Sequence, residues 1–280
     1  MPEGDSYARA ARRVAAVLSG ATIDGVAGSA PAVRRWSAKI LDSRVTGVRS
    51  RGKRLLITFD SGITISGHLG MNGRVQVGPG QRRPGPESLL LQTATHYVAF
   101  QAARVDANRT ALIEDALEKL GPDLLDPAFR SDHARATLFP QDRTVSELLL
   151  DQRVMAGIGN VFKNETLFLE RVNPATLVGQ LTSDQVDGLI ECARRLLVAN
   201  AARSTRSTTG LPGPGGRNWV YDRAGLPCRR CGQAIRQQMI GEPSRITFWC
   251  PGCQPDPSLP EPAIDDLNGK SSEKGESPLR

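Results

Sequence analysis

Four cysteines near the end of the chain limit its fold more than any other feature. Cys228 and Cys231 form one Cys-x-x-Cys pair, Cys250 and Cys253 a second, with eighteen residues between them. Each such turn presents two thiolates to one ion, and the intervening length suits a β-hairpin that returns the second pair to the first. Four sulfur ligands close a tetrahedral site, so the spacing predicts one structural zinc ion; an iron–sulfur centre or unrelated thiols are the other readings. Only about thirty residues surround the site, too few for a sizeable core, so the metal would hold this segment together. The segment carries Arg229, Arg230, Arg236 and Arg245, the last just before the strand-like Ile246-Thr247-Phe248-Trp249. A guanidinium at a hairpin tip can clamp a phosphate with two hydrogen bonds; it can equally be a solvated surface group.

The other end of the chain carries a different signal. It begins Met1-Pro2-Glu3-Gly4-Asp5. A small second residue permits removal of the initiator methionine, which would leave the Pro2 nitrogen as a free α-amine. Such amines titrate roughly two units below lysine, so a useful fraction is unprotonated at neutral pH and able to attack a carbonyl-like carbon, forming an imine. Glu3 offers a carboxylate for proton transfer beside it. By themselves these five residues are also an ordinary chain start with no chemical role.

Between the ends, hydrophobic periodicity divides the chain. Asp5 reads as an N-cap, and Tyr7, Ala10, Ala11, Val14, Val17 and Leu18 recur at helical spacing up to about Gly20. The positive end of that helix would lie near Pro2 and favour an anion there. From about Lys39 to Val77 the pattern is β: residues 55–59, a turn at Asp60-Ser61-Gly62, then 63–65 read as strand, turn and strand, with another strand near Tyr97 to Phe100. Gly78 to Pro86, rich in glycine, proline and arginine, reads as an exposed loop. One helix followed by strands predicts a β-sandwich. Within it, Lys53 lies in the basic turn Ser50-Arg51-Gly52-Lys53-Arg54, and His68-Leu69-Gly70-Met71-Asn72-Gly73 is a glycine-flanked loop that could project Met71 between base steps. A solvated turn, a core methionine and a structural histidine are the plain alternatives for Lys53, Met71 and His68.

Beyond Gly121-Pro122 the pattern turns helical. Val145, Leu148, Leu149, Gln152 and Val154 fit one helix capped by Thr144 or Ser146, and the pattern resumes at Phe162 to Leu169 after Ala156-Gly157-Ile158-Gly159-Asn160-Val161. Two glycines before a new helix expose backbone N–H groups suited to phosphate, and Asn160 adds a side-chain donor. A further helix spans about Ser183 to Ala201, with Cys192 on its apolar face as a core residue. Residues 203–217, dominated by Ser, Thr, Gly and Pro, read as a loop that either covers a pocket or merely links.

Charge adds a partner. The formal net charge is +7, and the stretch from Asp256 to Arg280 is acidic by three, so the body before it is strongly basic. A basic body suggests a polyanion, most often nucleic acid. No stretch of eighteen apolar residues and no signal-like segment is present, so the expectation is a cytoplasmic protein with no membrane association. The composition of the acidic tail predicts disorder.

Taken together, these residues resemble the formamidopyrimidine-DNA glycosylase and endonuclease VIII family of bacterial base-excision repair. The resemblance rests on Met1-Pro2-Glu3-Gly4, Arg51-Gly52-Lys53, His68 through Gly73, Leu120-Gly121-Pro122-Asp123, Leu150-Asp151-Gln152 through Asn164-Glu165, and Arg245 through Gln254. Gly4 is more like the endonuclease VIII branch. The resemblance implies an α+β multidomain protein: an N-terminal helix plus β-sandwich domain over 1–120, a helix–two-turn–helix domain over 121–224, a zinc-finger hairpin over 225–255 and a disordered tail over 256–280. It implies a monomeric DNA glycosylase and abasic-site lyase that flips a damaged base from DNA. Pro2, Glu3 and Lys53 would be catalytic, His68, Met71, Asn160 and Arg245 would hold DNA, and the four cysteines would hold zinc. The guanine-lesion branch carries an Arg-Arg-Phe run where this chain reads Gln101-Ala102-Ala103-Arg104-Val105-Asp106. With Gly4, that departure favours oxidised pyrimidines over guanine lesions. A non-catalytic zinc-dependent DNA-binding protein is the reading from another class.

Overall fold

The computed structural model describes residues 1–138, 142–211, 213–242 and 244–256; the expected tail lies, beyond Asp256, outside the described residues. The chain opens with helix α1 (Gly4–Leu18), strand β1 (Gly25–Ala27) and helix α2 (Pro31–Ile40). Seven strands follow: β2 (Val45–Arg51), β3 (Arg54–Phe59), β4 (Ile63–His68), β5 (Arg74–Pro79), β6 (Leu89–Gln92), β7 (His96–Gln101) and β8 (Arg104–Arg109). With β1 they form two antiparallel four-stranded sheets, ordered β2-β3-β4-β8 and β1-β6-β7-β5. Alternation along β3 explains how they close. Leu55, Ile57 and Phe59 join Val98 and Phe100 of the other sheet and Tyr7, Val14 and Leu18 of α1 in one core. Leu56 points the other way, onto Ile113 and Leu117 of helix α3 (Thr110–Glu118). Each such aliphatic side chain contributes roughly 1.5–3 kcal/mol by leaving water.

Asp5 is not the N-cap of α1. Glu3 is, through its backbone carbonyl, and Asp5 sits in the first turn, fully buried and paired with Arg9 and Arg206. Long-range ion pairing outweighed the local capping preference of an aspartate. Helix α2, absent from the periodicity reading, starts at a proline, whose fixed φ suits the first helical position.

The second unit holds α4 (Ser131–Leu138), α5 (Val145–Leu150), α6 (Asn160–Leu169) and α7 (Ser183–Ala202) around a separate core that includes Cys192. Thr144 caps α5 with Glu147 in a reciprocal capping box. The helix ends at Leu150, shorter than expected. Gln152 leaves it to brace the turns that follow, accepting from Gly157 N and donating to Ile158 O. A last hairpin, β9 (Arg236–Ile240) with β10 (Arg245–Trp249), shares a small core with Phe168 of α6 and the cysteines. Among the described residues no helix is long and apolar enough to cross a membrane.

Candidate active site

The sandwich meets the helical unit at a cleft of about 510 Å³, lined by Pro2, Lys53, His68, Met71, Asn160 and Arg245 among others. Residues far apart in sequence are brought there by two docked segments.

The first is the chain start. Glu3 is fully buried. Its Oε2 accepts the backbone N–H of Gly159 at 2.8 Å and of Phe162 at 3.2 Å, and its Oε1 accepts that of Val161 at 2.7 Å. These are unpaired amides of the first turn of α6, where partial positive charge gathers. The expectation that this helix start awaits a phosphate is therefore corrected: the chain's own carboxylate fills it. Local sequence shows an open helix end but not a partner 156 residues away. Gly4 N donates to Gly157 O at 2.9 Å, which locks the same contact from the other side. Oε1 keeps a lone pair free of any backbone donor, with Arg206 Nη1 at 3.9 Å.

The second segment is the Arg51-Gly52-Lys53 turn between β2 and β3. Gly52 has φ +55°, and its N–H donates to Asp123 Oδ2 at 2.7 Å, while Arg51 Nη2 donates to Gly121 O at 3.0 Å. A β-carbon on Gly52 would stand 3.1 Å from that of Ala156. The turn is thus pinned to the helical unit, with Lys53 facing the cleft. Burial lowers the Lys53 pKa, Arg206 and Arg245 add to the effect, and Glu3 opposes it. Among the described residues its amine has no hydrogen-bond partner.

On the sandwich side, His68 Nδ1 accepts from Gly70 N at 3.2 Å, which leaves Nε2–H as the ring's donor. Burial, then Arg54, Lys53 and Arg104, holds its pKa below the usual histidine value. Met71 is 69% exposed at the tip of the loop between β4 and β5. The connection between β7 and β8, at the place of the Arg-Arg-Phe run that this chain lacks, is a two-residue turn of Ala102 and Ala103.

On the helical side, β10 is stitched to α6. Asn160 Nδ2 donates to Ile246 O at 2.8 Å, Lys163 Nζ to Thr247 Oγ1 at 2.7 Å, and Phe248 N to Asn164 Oδ1 at 2.8 Å. Asn160 was expected to offer a free donor; one hydrogen of its amide is instead committed within the chain, and its Oδ1 is buried without a partner. Arg245 begins β10, exposed, opposite Ile240. Burial pushes the Lys163 pKa down to about 7, with Glu3 opposing and Arg245 assisting. Below this seam Glu165, fully buried, accepts from the N–H groups of Trp219, Val220 and Tyr221 at 2.7–2.9 Å and from the Thr208 hydroxyl. It ties the irregular segment after α7 to α6. Burial raises its pKa against these donors.

Lys163 and Arg206 escaped the sequence reading. A lysine inside an amphipathic helix and an arginine in a Ser/Thr loop give no local signal.

The four cysteine Sγ atoms lie within 4.8 Å of one another. Cys228 and Cys253 are 3.8 Å apart, Cys231 and Cys250 3.3 Å. A tetrahedral ion with metal–sulfur bonds of ~2.3 Å needs sulfurs ~3.8 Å apart, so the cluster fits one metal ion.

Comparison with known proteins agrees with this geometry. Residues 1–111 match the formamidopyrimidine-DNA glycosylase N-terminal domain, and residues 120–210 the formamidopyrimidine-DNA glycosylase H2TH domain. The chain is 41% identical over 268 residues to a Streptomyces coelicolor protein named "Probable endonuclease 8 2", covering 92% of this chain and 95% of the relative. It is 38% identical over 256 residues to the DNA-(apurinic or apyrimidinic site) lyase Nei2 of Mycolicibacterium smegmatis, covering 91% and 99%. The fold matches that of Lactococcus lactis Fpg, crystallised with abasic-site DNA, with a TM-score of 0.80 at 20% identity, covering 91% of this chain and all of that one.

Proposed function

The chain belongs to the formamidopyrimidine-DNA glycosylase and endonuclease VIII family, in its endonuclease VIII-like branch, and we propose that it is a bifunctional DNA glycosylase and abasic-site lyase of base-excision repair that removes oxidised pyrimidines. The observation that carries this reading is the single cleft shared by Pro2 and Lys53, walled by the helix start that holds Glu3.

With Met1 removed, the Pro2 nitrogen lone pair bonds to the sugar C1′. The glycosidic bond breaks with its electrons on the departing base, which takes up a proton. The nitrogen loses its own proton, the ring oxygen leaves C1′ and is protonated, and an iminium remains. Glu3 Oε1, with its open lone pair, is the oxygen suited to exchange that proton. Loss of a C2′ proton lets the iminium accept electrons and expel the 3′ phosphate; a second elimination expels the other phosphate. Lys53, with its lowered pKa, suits proton transfer or phosphate contact in these steps.

Damaged DNA would be held by His68 Nε2–H, the remaining Asn160 amide hydrogen and Arg245, with Met71 entering the vacated stack. The short Ala102–Ala103 turn carries no aromatic where the guanine-lesion branch has its Arg-Arg-Phe run, which supports the pyrimidine reading. The metal is structural zinc on Cys228, Cys231, Cys250 and Cys253, since four thiolates leave no open position for chemistry. We divide the chain into a catalytic sandwich over 1–120, a helix–two-turn–helix unit over 121–224 and a zinc finger over 225–255, acting as a monomer in the cytoplasm.

Borohydride reduction in the presence of lesion-bearing duplexes tests the reading. A covalent adduct that disappears in Pro2→Gly and in Met1-retaining protein is expected. DNA binding without any adduct or strand cleavage would point to a non-catalytic binding protein. Cleavage confined to oxidised-guanine lesions would overturn the pyrimidine assignment.

A further inference from the structure

Arg206 lies in the irregular segment after α7 and reaches back 201 positions to the chain start. Its Nε donates to Asp5 Oδ2 at 2.9 Å, its Nη2 to Asp5 Oδ1 at 2.5 Å and to Ser6 Oγ at 3.1 Å, and its Nη1 to the Met1 carbonyl at 3.1 Å. The guanidinium stacks on the Phe162 ring, 5.0 Å from its centroid, and is only 16% exposed. Removal of Met1 takes away the acceptor of Nη1. A carbonyl oxygen and the following nitrogen share one carbon, and bond lengths of 1.23 and 1.33 Å put them ~2.3 Å apart. Nη1 therefore stands within about 5.4 Å of the Pro2 nitrogen.

We propose that Arg206 is the positioning residue of the terminal amine: its fork fixes the first turn through Asp5 and Ser6, and its permanent charge keeps the Pro2 nitrogen unprotonated and nucleophilic. This rests on Pro2 being the nucleophile. Guanidinium stays charged at any working pH, and a like charge within 4–6 Å disfavours an ammonium by about 1–3 pKa units.

The surroundings preserve that sign. On α1, the Asp5 carboxylate is matched by both Arg9 and Arg206, and Glu3 is bound by the amides of α6. Arg245 adds fixed positive charge from β10; Lys53 and Lys163, whose pKa values burial lowers, add theirs only while protonated, and Arg54 and Arg104 add more behind His68. Tyr7, pushed up to about 12 by burial, and His68, held low, are neutral at pH 7. On the far wall Asp151 is paired with Arg143 and Arg153. Glu147 there accepts from Thr144 and from the backbone of exposed Glu242.

The test is the pH dependence of borohydride trapping on an abasic-site duplex, with full-length protein whose Met1 removal is verified by mass. Arg206→Gln is expected to move the acidic limb up by about one unit or more, because the ammonium form loses its repelling neighbour. Arg206→Lys, which keeps charge but loses the fork, should trap less DNA with the limb close to wild type. Asp5→Asn, which leaves the guanidinium charge unmatched, should move the limb down. The limb position does not depend on how much protein is folded, so reduced amplitude with an unmoved limb in Arg206→Gln would overturn the proposal. If Arg206→Gln does not fold, an unmoved limb in Asp5→Asn overturns it instead. Wild-type protein that forms no adduct at any pH would defeat the Pro2 reading itself, a different outcome from an adduct whose limb does not shift.

Discussion

Gly159 and Glu3 leave no room between them: a β-carbon on Gly159 would stand 2.3 Å from Glu3 Cδ, where the Gly159 N–H now donates to Oε2 at 2.8 Å. The contact holds the chain start against the first turn of α6, so the geometry of the proposed nucleophile depends on a residue with no side chain.

Gly159→Ala should therefore displace the N-terminal segment. Overpacking of this kind costs about 1–3 kcal/mol of stability, and an ångström-scale shift of a reacting group costs about 100-fold in rate. Borohydride trapping on an abasic-site duplex and a denaturant melt measure the two effects. Wild-type trapping in a folded Gly159→Ala protein would show that the docking of Glu3 does not matter.

Asp123 acts on the other docked segment. Asp123→Ala leaves the buried Gly52 N–H without its acceptor, at about 1–3 kcal/mol, and frees the turn that carries Lys53. Strand cleavage should slow by about tenfold or more as the lysine loses its position, while the affinity for uncleavable abasic-analogue DNA changes little. A larger loss of affinity than of cleavage rate would contradict this assignment.

Lys163 predicts a pH dependence of stability. Its folded pKa, about 7, lies below the ordinary lysine value of 10.5, so between these values the unfolded chain binds more protons than the folded one. Stability contributed through this group rises as pH rises from about 7 toward 10.5 and is lost as pH falls. Lys163→Met should flatten that part of the profile and stabilise the protein at neutral pH by a few kcal/mol, on the order of one per pKa unit. Paired urea titrations at pH 7 and 9 measure it; parallel profiles for the two proteins would refute it.

Cys250→Ser removes one of four clustered sulfurs. Because the surrounding core is small, the variant should lose its metal ion and DNA affinity together, the latter by at least about tenfold in Kd, since metal binding and folding of such a segment are one event. Metal analysis and fluorescence anisotropy follow the two. Unchanged affinity in metal-free protein would separate the hairpin's fold from the metal.

Much of the architecture was legible because it rests on local periodicity. The alternation of Leu55, Ile57 and Phe59 marks β3, and the spacing from Val186 to Leu197 marks α7. Misreadings fell where a distant partner overrode a local preference. Asp5 looks like a cap but pairs with Arg206; the open start of α6 looks like an anion site, and the anion is Glu3.

By itself the sequence determined the metal cluster, the sandwich and the helical unit, because thiolate spacing and the two hydrophobic periods are properties of neighbouring residues. Only the tertiary structure decided which carboxylate meets which amide and which cation stands beside the chain start. Those pairings join residues more than 150 positions apart. Buried charges settle on the partners that folding brings within reach, and no stretch of local sequence encodes that choice.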